Sequence, residues 1–245
     1  MFSQTQNDRY FAGQATVADA SVIRIFMRQV FSWMTLAMVV TAVTAYWFAS
    51  SPELMMSLFN FQTGGMTMLR WIVILAPIGF VLLMSFGFQR LSPAVLTLLF
   101  VTFSVLMGMS LSFILMIYTA ASVFKTFLVT SVMFGVMAVT GYTTKTDLTK
   151  FGAIMMMGLI GIMIAMLVNL FLQSGTMDYV ISILGVLIFT GLTAYDVQRL
   201  KNMAGGMGEY GDANTRKLSI MGALTLYLDF INLFIFLLRF LGDRK

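Results

Sequence analysis

The apolar residues of this chain fall into seven long blocks, at residues 31–49, 71–88, 94–118, 122–142, 151–172, 179–195 and 218–241. Each block comes close to the ~20 residues that a helix rising 1.5 Å per residue needs to cross a hydrocarbon layer of ~30 Å. A membrane-spanning strand would need only about 10 residues, alternating in polarity. None of the blocks alternates. In lipid the backbone has to satisfy its own hydrogen bonds, so spans that are not strands of a closed barrel must be helices. The pattern therefore predicts an all-α integral membrane protein with seven transmembrane helices.

The polar segments mark the connections. Ser50, Ser51 and Pro52, with Gly64 and Gly65, signal turns between the first two blocks. Ser92 and Pro93 break the chain before the third block, with proline near the helix start, where its missing N–H is tolerated. Residues 201–217 form the longest polar stretch between spans and contain Gly205, Gly206, Gly208 and Gly211. No strand precedes them and their spacing matches no phosphate loop, so they read as a flexible connector. The division expected is a polar leader over residues 1–28 and a seven-helix domain over residues 29–245. Val17, Ser21, Val22, Ile25 and Phe26 could share one face of a short interfacial helix in the leader. The first block is too long, and begins too late, to be the core of a cleaved signal peptide.

Composition narrows the chemistry. Hydrophobic types make up 59% of the 245 residues and charged types 10%, more apolar surface than a soluble domain of this size can bury. With no cysteine and no histidine, the chain has no disulfide, no His/Cys zinc site and no His- or Cys-ligated haem. No cofactor is expected, and any proton sensing near neutral pH must rest on carboxyl groups. Arg9, Arg24, Arg28, Arg90, Lys145, Lys150, Arg199, Lys201, Arg216 and Lys217 fall on the side of the N-terminus. Arg70, Lys125, Arg239, Arg244 and Lys245 fall on the other. The positive-inside rule then predicts a cytoplasmic N-terminus and an external C-terminus. The net charge of +5 reads as a topology signal with attraction to anionic lipid, not as a nucleic-acid surface.

Eight of the ten acids lie in tails, loops or helix ends; Asp196 and Asp229 lie within the last two spans. A charge at the centre of a spanning helix costs about 2.5–3.5 kcal/mol on insertion scales, so such a residue is paired or used. A purely structural hydrogen bond between helices is the plain alternative, worth only about 0.6 kcal/mol on average. Arg90, after the second span, lies on the side where the sixth span ends and could reach Asp196. Thr225 and Asn232 share the helical face of Asp229 and would extend a polar stripe. Asp229 lies deep in its span, whereas Asp196 lies near the end of the sixth, which leaves an expected height difference of several ångström, smaller if the sixth helix continues inward through Leu200. If the two carboxyls do meet, they cannot both ionise easily and share a proton over some pH range. Such a pair is a proton-dependent latch: with a proton it ties the last two spans together, and without one it repels. The same oxygens would attract a passing calcium ion, although two carboxylates fall well short of the six to eight oxygens of a tight site.

The stretch ALTLYLDFINLFIFLLRFLG at 223–242, the segment TAYDVQ at 193–198 and FMRQVF at 26–31 closely resemble the signatures of the transmembrane Bax inhibitor motif family, as a bacterial-type member. The resemblance runs from Phe26 onward. It implies a seven-helix fold with the last helix central, and a pH-sensitive calcium leak controlled by an aspartate pair and an arginine. The matching positions are Asp196, Asp229 and Arg90. Some relatives carry a further acid in the second span; the APIGF segment at 76–80 has none.

Bacterial-type relatives are thought to restrain a membrane-anchored quality-control protease, so a regulatory, non-transporting protein is the main alternative. An intramembrane aspartyl protease would need Gly-x-Gly-Asp, whereas Asp229 is flanked by Leu228 and Phe230. A retinal protein needs a lysine within the seventh span, and residues 218–241 contain none. The 23 methionines read as adaptable packing between helices and not as copper ligands. The expected function is therefore a non-enzymatic, pH-sensitive calcium leak in a bacterial inner membrane. Its partners would be lipid and a permeant cation, with no nucleic acid.

Overall fold

A computed structural model describes the backbone of residues 3–60, 65–206 and 213–245, and the side chains from Ala20 on except those of residues 59–66 and 207–212. In chain order the helices are α1 (Ser3–Ser50), α2 (Pro52–Leu58), α3 (Met68–Gly87), α4 (Pro93–Leu111), α5 (Ile114–Ile117), α6 (Ala120–Thr143), α7 (Thr149–Leu172), α8 (Gly175–Gly205) and α9 (Ala213–Leu241). The only strands among the described residues are a two-residue antiparallel pair, Phe59–Asn60 with Gly65–Met66. The class is all-α, with seven helices long and apolar enough to cross a membrane.

Hydroxyl side chains start the spans. Thr67, Ser92, Thr119 and Ser174 each accept a hydrogen bond from the backbone N–H three residues on. These bonds satisfy donors that the first helical turn would otherwise leave orphaned. Asp147 does similar work ahead of α7: its Oδ1 accepts from Thr149 N at 2.9 Å and from Thr149 Oγ1 at 2.6 Å. These bonds favour the charged form and hold the Asp147 carboxyl below the usual carboxylate range.

The last helix is the axis of the bundle. α9 packs against α1, α4, α6 and α8, and 72% of its most apolar stretch is buried, against 11% for α7. Buried side chains follow one another along it with hardly a break, from Thr215 to Leu238. The outer helices turn large apolar residues such as Phe86 and Phe171 outward, as a surface meeting acyl chains does. The Tyr227 hydroxyl lies 2.7 Å from Thr41 Oγ1, which donates to Ser104 O at 2.9 Å, so α9, α1 and α4 are joined by one buried chain of hydrogen bonds. Because Thr41 spends its proton on Ser104, Tyr227 is the donor to Thr41. Tyr227→Phe should lower stability by about 1–3 kcal/mol, as removal of one partner leaves a buried acceptor unmet; the check is a lowered unfolding midpoint in detergent, with Phe100 and Phe103 still packing the ring.

Two boundaries differ from the sequence expectation. The division at residue 28 has no structural break, since α1 runs unbroken from Ser3 to Ser50. Phe26 and Met27 are buried in the bundle and do not lie along a membrane surface, because their face packs against the helices that surround them. Val17 lies outside the residues whose side chains are described. The sixth span does not stop at residue 195 but continues to Gly205. Of the expected connector after it, residues 207–212, with Gly208 and Gly211, lie outside the described residues.

Candidate functional site

The extension of α8 to Gly205 puts Asp196 more than two turns inside the helix instead of at its end, and Asp196 meets Asp229 despite the expected height difference. Asp196 is 8% exposed and Asp229 5%. The two carboxyls stand within hydrogen-bonding reach of each other, across the α8–α9 contact. Asp229 Oδ2 is buried and receives no N–H or hydroxyl hydrogen bond. Ionised carboxylates only accept, so this contact is a hydrogen bond only when one of the two carries a proton.

Several ties hold α8 in this register. Gly141 of α6 lies directly against the Ala194 carbonyl, a close approach of two backbones that only a residue without Cβ allows. Gln198 brackets the α6–α7 turn, its Nε2 donating to Thr146 O and its Oε1 accepting from Leu148 N, both at 2.8 Å. Lys201 Nζ donates to Tyr142 O at 2.7 Å. The start of α9 is fixed by the buried Lys217, whose Nζ donates to Phe88 O at 3.1 Å and Gln89 O at 3.4 Å in the turn after α3. Lys217 was expected only as a positive charge on the N-terminal side and Gln198 only as part of a family segment; a long polar side chain on a helix in an apolar chain was the signal that both could tie helices together.

The cation beside the pair is Arg199, not Arg90. Arg199 Nη1 lies 3.9 Å from Asp196 Oδ1, with its own side chain 61% exposed. Arg90 is exposed in the turn after α3 and is in neither of the ion pairs found among the described residues, Arg199–Asp196 and Arg239–Asp178. The physical reason is the length of α8: once the helix continues, Asp196 gains a neighbour three residues on, on its own face. Thr225 and Asn232 sit half-buried beside Asp229 on α9, but each bonds back to its own helix, Thr225 Oγ1 to Met221 O at 3.2 Å and Asn232 Nδ2 to Leu228 O at 2.8 Å. They leave Asp229 to face Asp196.

A crevice of about 310 Å³, lined by Thr149, Tyr195, Gln198, Arg199, Asn202 and Met203, opens next to this arginine. Asp196 is thus the member nearer to water, and Asp229 lies behind it. Among the described residues no group of three or more acidic, histidine or cysteine side chains could hold a metal, and α3 contributes no acid. A cation meeting this site would find two carboxyls and would be held only in passing.

Comparison with known proteins matches the family described as inhibitor of apoptosis-promoting Bax1 over residues 23–245. The chain belongs to the Bax inhibitor-1 family. An inner membrane protein of Escherichia coli K12, YbhL, is 44% identical over 241 residues, which is 97% of this chain and 100% of the relative. Uncharacterized proteins of Rickettsia prowazekii and Caulobacter vibrioides are each 43% identical, covering 91% and 93% of this chain and the same shares of their own lengths. The family match includes all seven spans and begins near Phe26, within α1. As a Bax inhibitor-1 family member the protein is an integral membrane protein.

Proposed function

We propose that this protein is a pH-dependent cation leak, with calcium as the permeant ion, in a bacterial inner membrane, and that it performs no chemical catalysis. The observation that carries the reading is the carboxyl–carboxyl contact between α8 and α9. One proton bridges the two groups and ties the central helix to its neighbour. Loss of that proton places two like charges together where little water can screen them. Arg199, close to Asp196 but largely in water, offsets one charge in part and leaves Asp229 uncompensated. The latch is Asp196 and Asp229, with Arg199 in the place first expected for Arg90. The reading takes the N-terminus as cytoplasmic, supported by the positive-inside rule and the positive charge of Arg24, Arg28, Arg90, Lys145, Arg199, Lys201 and Lys217 on that side.

Calcium flux into liposomes carrying the purified protein tests this reading. Wild-type flux should exceed that of empty liposomes and change several-fold across a pH series as the pair takes up or loses its proton. Asp196→Asn should remove that change, since an amide does not titrate there. Flux equal to that of empty liposomes at every pH would overturn the leak. A pH response unaltered in Asp196→Asn would overturn the latch.

A further inference from the structure

A furrow on the lipid-facing side, between α1 and α6, has no part in the carboxyl latch. At its positively charged end lies a recess of about 280 Å³ lined by Arg24, Arg28, Phe31, Val139 and Tyr142, among others. Arg24 and Arg28 are one helical turn apart and exposed, and neither is in an ion pair among the described residues. Lys201 does not line the recess but contacts one of its wall residues: its ammonium sits 5.2 Å from the centre of the Tyr142 ring while donating to the Tyr142 carbonyl. An ammonium has two further N–H groups to give. Below this cationic rim the floor turns apolar.

Further along the same two helices is an apolar crevice of about 330 Å³, with Ala42 and Ala45 of α1, Phe124 and Phe127 of α6, and Phe230 and Phe234 of α9 among its walls. Its upper wall begins at Met38, ten residues beyond Arg28. At 1.5 Å per residue that is about 15 Å, half of a ~30 Å hydrocarbon layer. The furrow thus offers cations at headgroup depth and an apolar slot at the depth of an acyl chain's end.

We infer that the α1–α6 furrow is a binding site for one anionic phospholipid of the surrounding bilayer. The phosphate and any second negative headgroup charge lie between the Arg24 and Arg28 guanidiniums, with Lys201 beside them, and one acyl chain runs down the furrow into the crevice floored by α9. Guanidinium recognises phosphate through paired N–H donors. A zwitterionic lipid carries its own ammonium, and gains less from a rim that already holds two arginines with a lysine close by. Since Phe230 follows Asp229 directly in sequence, the bound chain would rest on the segment of the central helix that bears the latch, although the inference does not depend on the latch.

The test is native mass spectrometry of the full chain, delipidated and titrated with phosphatidylglycerol or phosphatidylcholine. One phosphatidylglycerol should be retained in preference to phosphatidylcholine. Arg24→Ala with Arg28→Ala should weaken its retention roughly thirtyfold, as expected for two surface-proximal cations. Ala42→Trp, which fills the crevice mouth without touching the cations, should weaken it as well. Lys145→Ala with Lys150→Ala removes the same charge from the same end of the protein and should leave retention unchanged. Equal loss in that pair would show only diffuse attraction of anionic lipid and would overturn the site. So would undiminished retention in the double arginine variant with its unfolding midpoint intact, or equal retention of the two lipids by the wild type.

Discussion

Gly141→Leu is expected to prevent the bundle from assembling in its native form. A Cβ at position 141 would overlap the Ala194 carbonyl oxygen, and the Ala194 carbonyl carbon and Cα lie only 2.8 and 2.9 Å from it. The obstacle is backbone of α8, which cannot rotate aside as a side chain end can. Overpacking a well-packed interior costs about 1–3 kcal/mol when side chains can yield, and here the two helices themselves have to part. Asp196 is two residues beyond the contact, so the separation would also pull the carboxyl pair out of register. Gly135→Leu, on the same helix with nothing within 4 Å of its Cβ position, serves as the control. The expected outcome in detergent is a folded, monodisperse Gly135→Leu protein and a Gly141→Leu protein that aggregates or unfolds far below wild type. A Gly141→Leu variant with wild-type Tm would contradict this account of the α6–α8 approach.

Asp229 should divide the two roles of its carboxyl according to what replaces it. Asn keeps a group that can hydrogen-bond Asp196 but never loses its charge-bearing proton, so the tie stays and the pH response goes. Ala removes the tie and leaves Asp196 without its partner. A buried polar group without a partner costs about 1–3 kcal/mol, so Asp229→Ala should unfold at lower temperature than Asp229→Asn. The contrast is measured as the pH profile of calcium flux beside the thermal midpoint of each variant. Equal midpoints and an unchanged pH profile in both would show that Asp229 neither ties nor titrates. The same logic makes Arg199→Gln a milder change, since that side chain is mostly in water and its ion pair is long.

Much of this molecule was legible from hydropathy because the bilayer imposes a length: each of the seven blocks became one of the seven spans. The helix ends were less legible. Hydropathy stops the sixth block at the first polar residues, yet Gln198 and Lys201 continue as helix because the α6–α7 turn meets their hydrogen bonds. Arg90 was expected beside Asp196 from the membrane side they share and from the family resemblance, whereas Arg199 stands one turn away on the same helix. The two acids themselves were legible as charges in costly places. What no periodicity could disclose was which helix lies in the middle. Lipid is as apolar as a protein core, so α9 and the lipid-facing α7 read alike, and only the resemblance to a family pointed to the last helix as central. The α1–α6 furrow was equally hidden, since its walls come from helices far apart in the chain, α1, α6 and α9 among them.

Infrared difference spectroscopy on the protein in bilayers, taken across a pH step, observes the bridging proton most directly. A hydrogen-bonded carboxylic acid in an apolar setting absorbs in the C=O stretching region apart from ionised carboxylates. The account predicts one such band in the wild type that disappears as pH rises, that shifts in Asp196→Asn and in Asp229→Asn because the remaining acid then bonds an amide, and that is absent when the two substitutions are combined. A spectrum with no protonated carboxyl band at any pH at which the protein is folded, or a band that survives both substitutions, would contradict it.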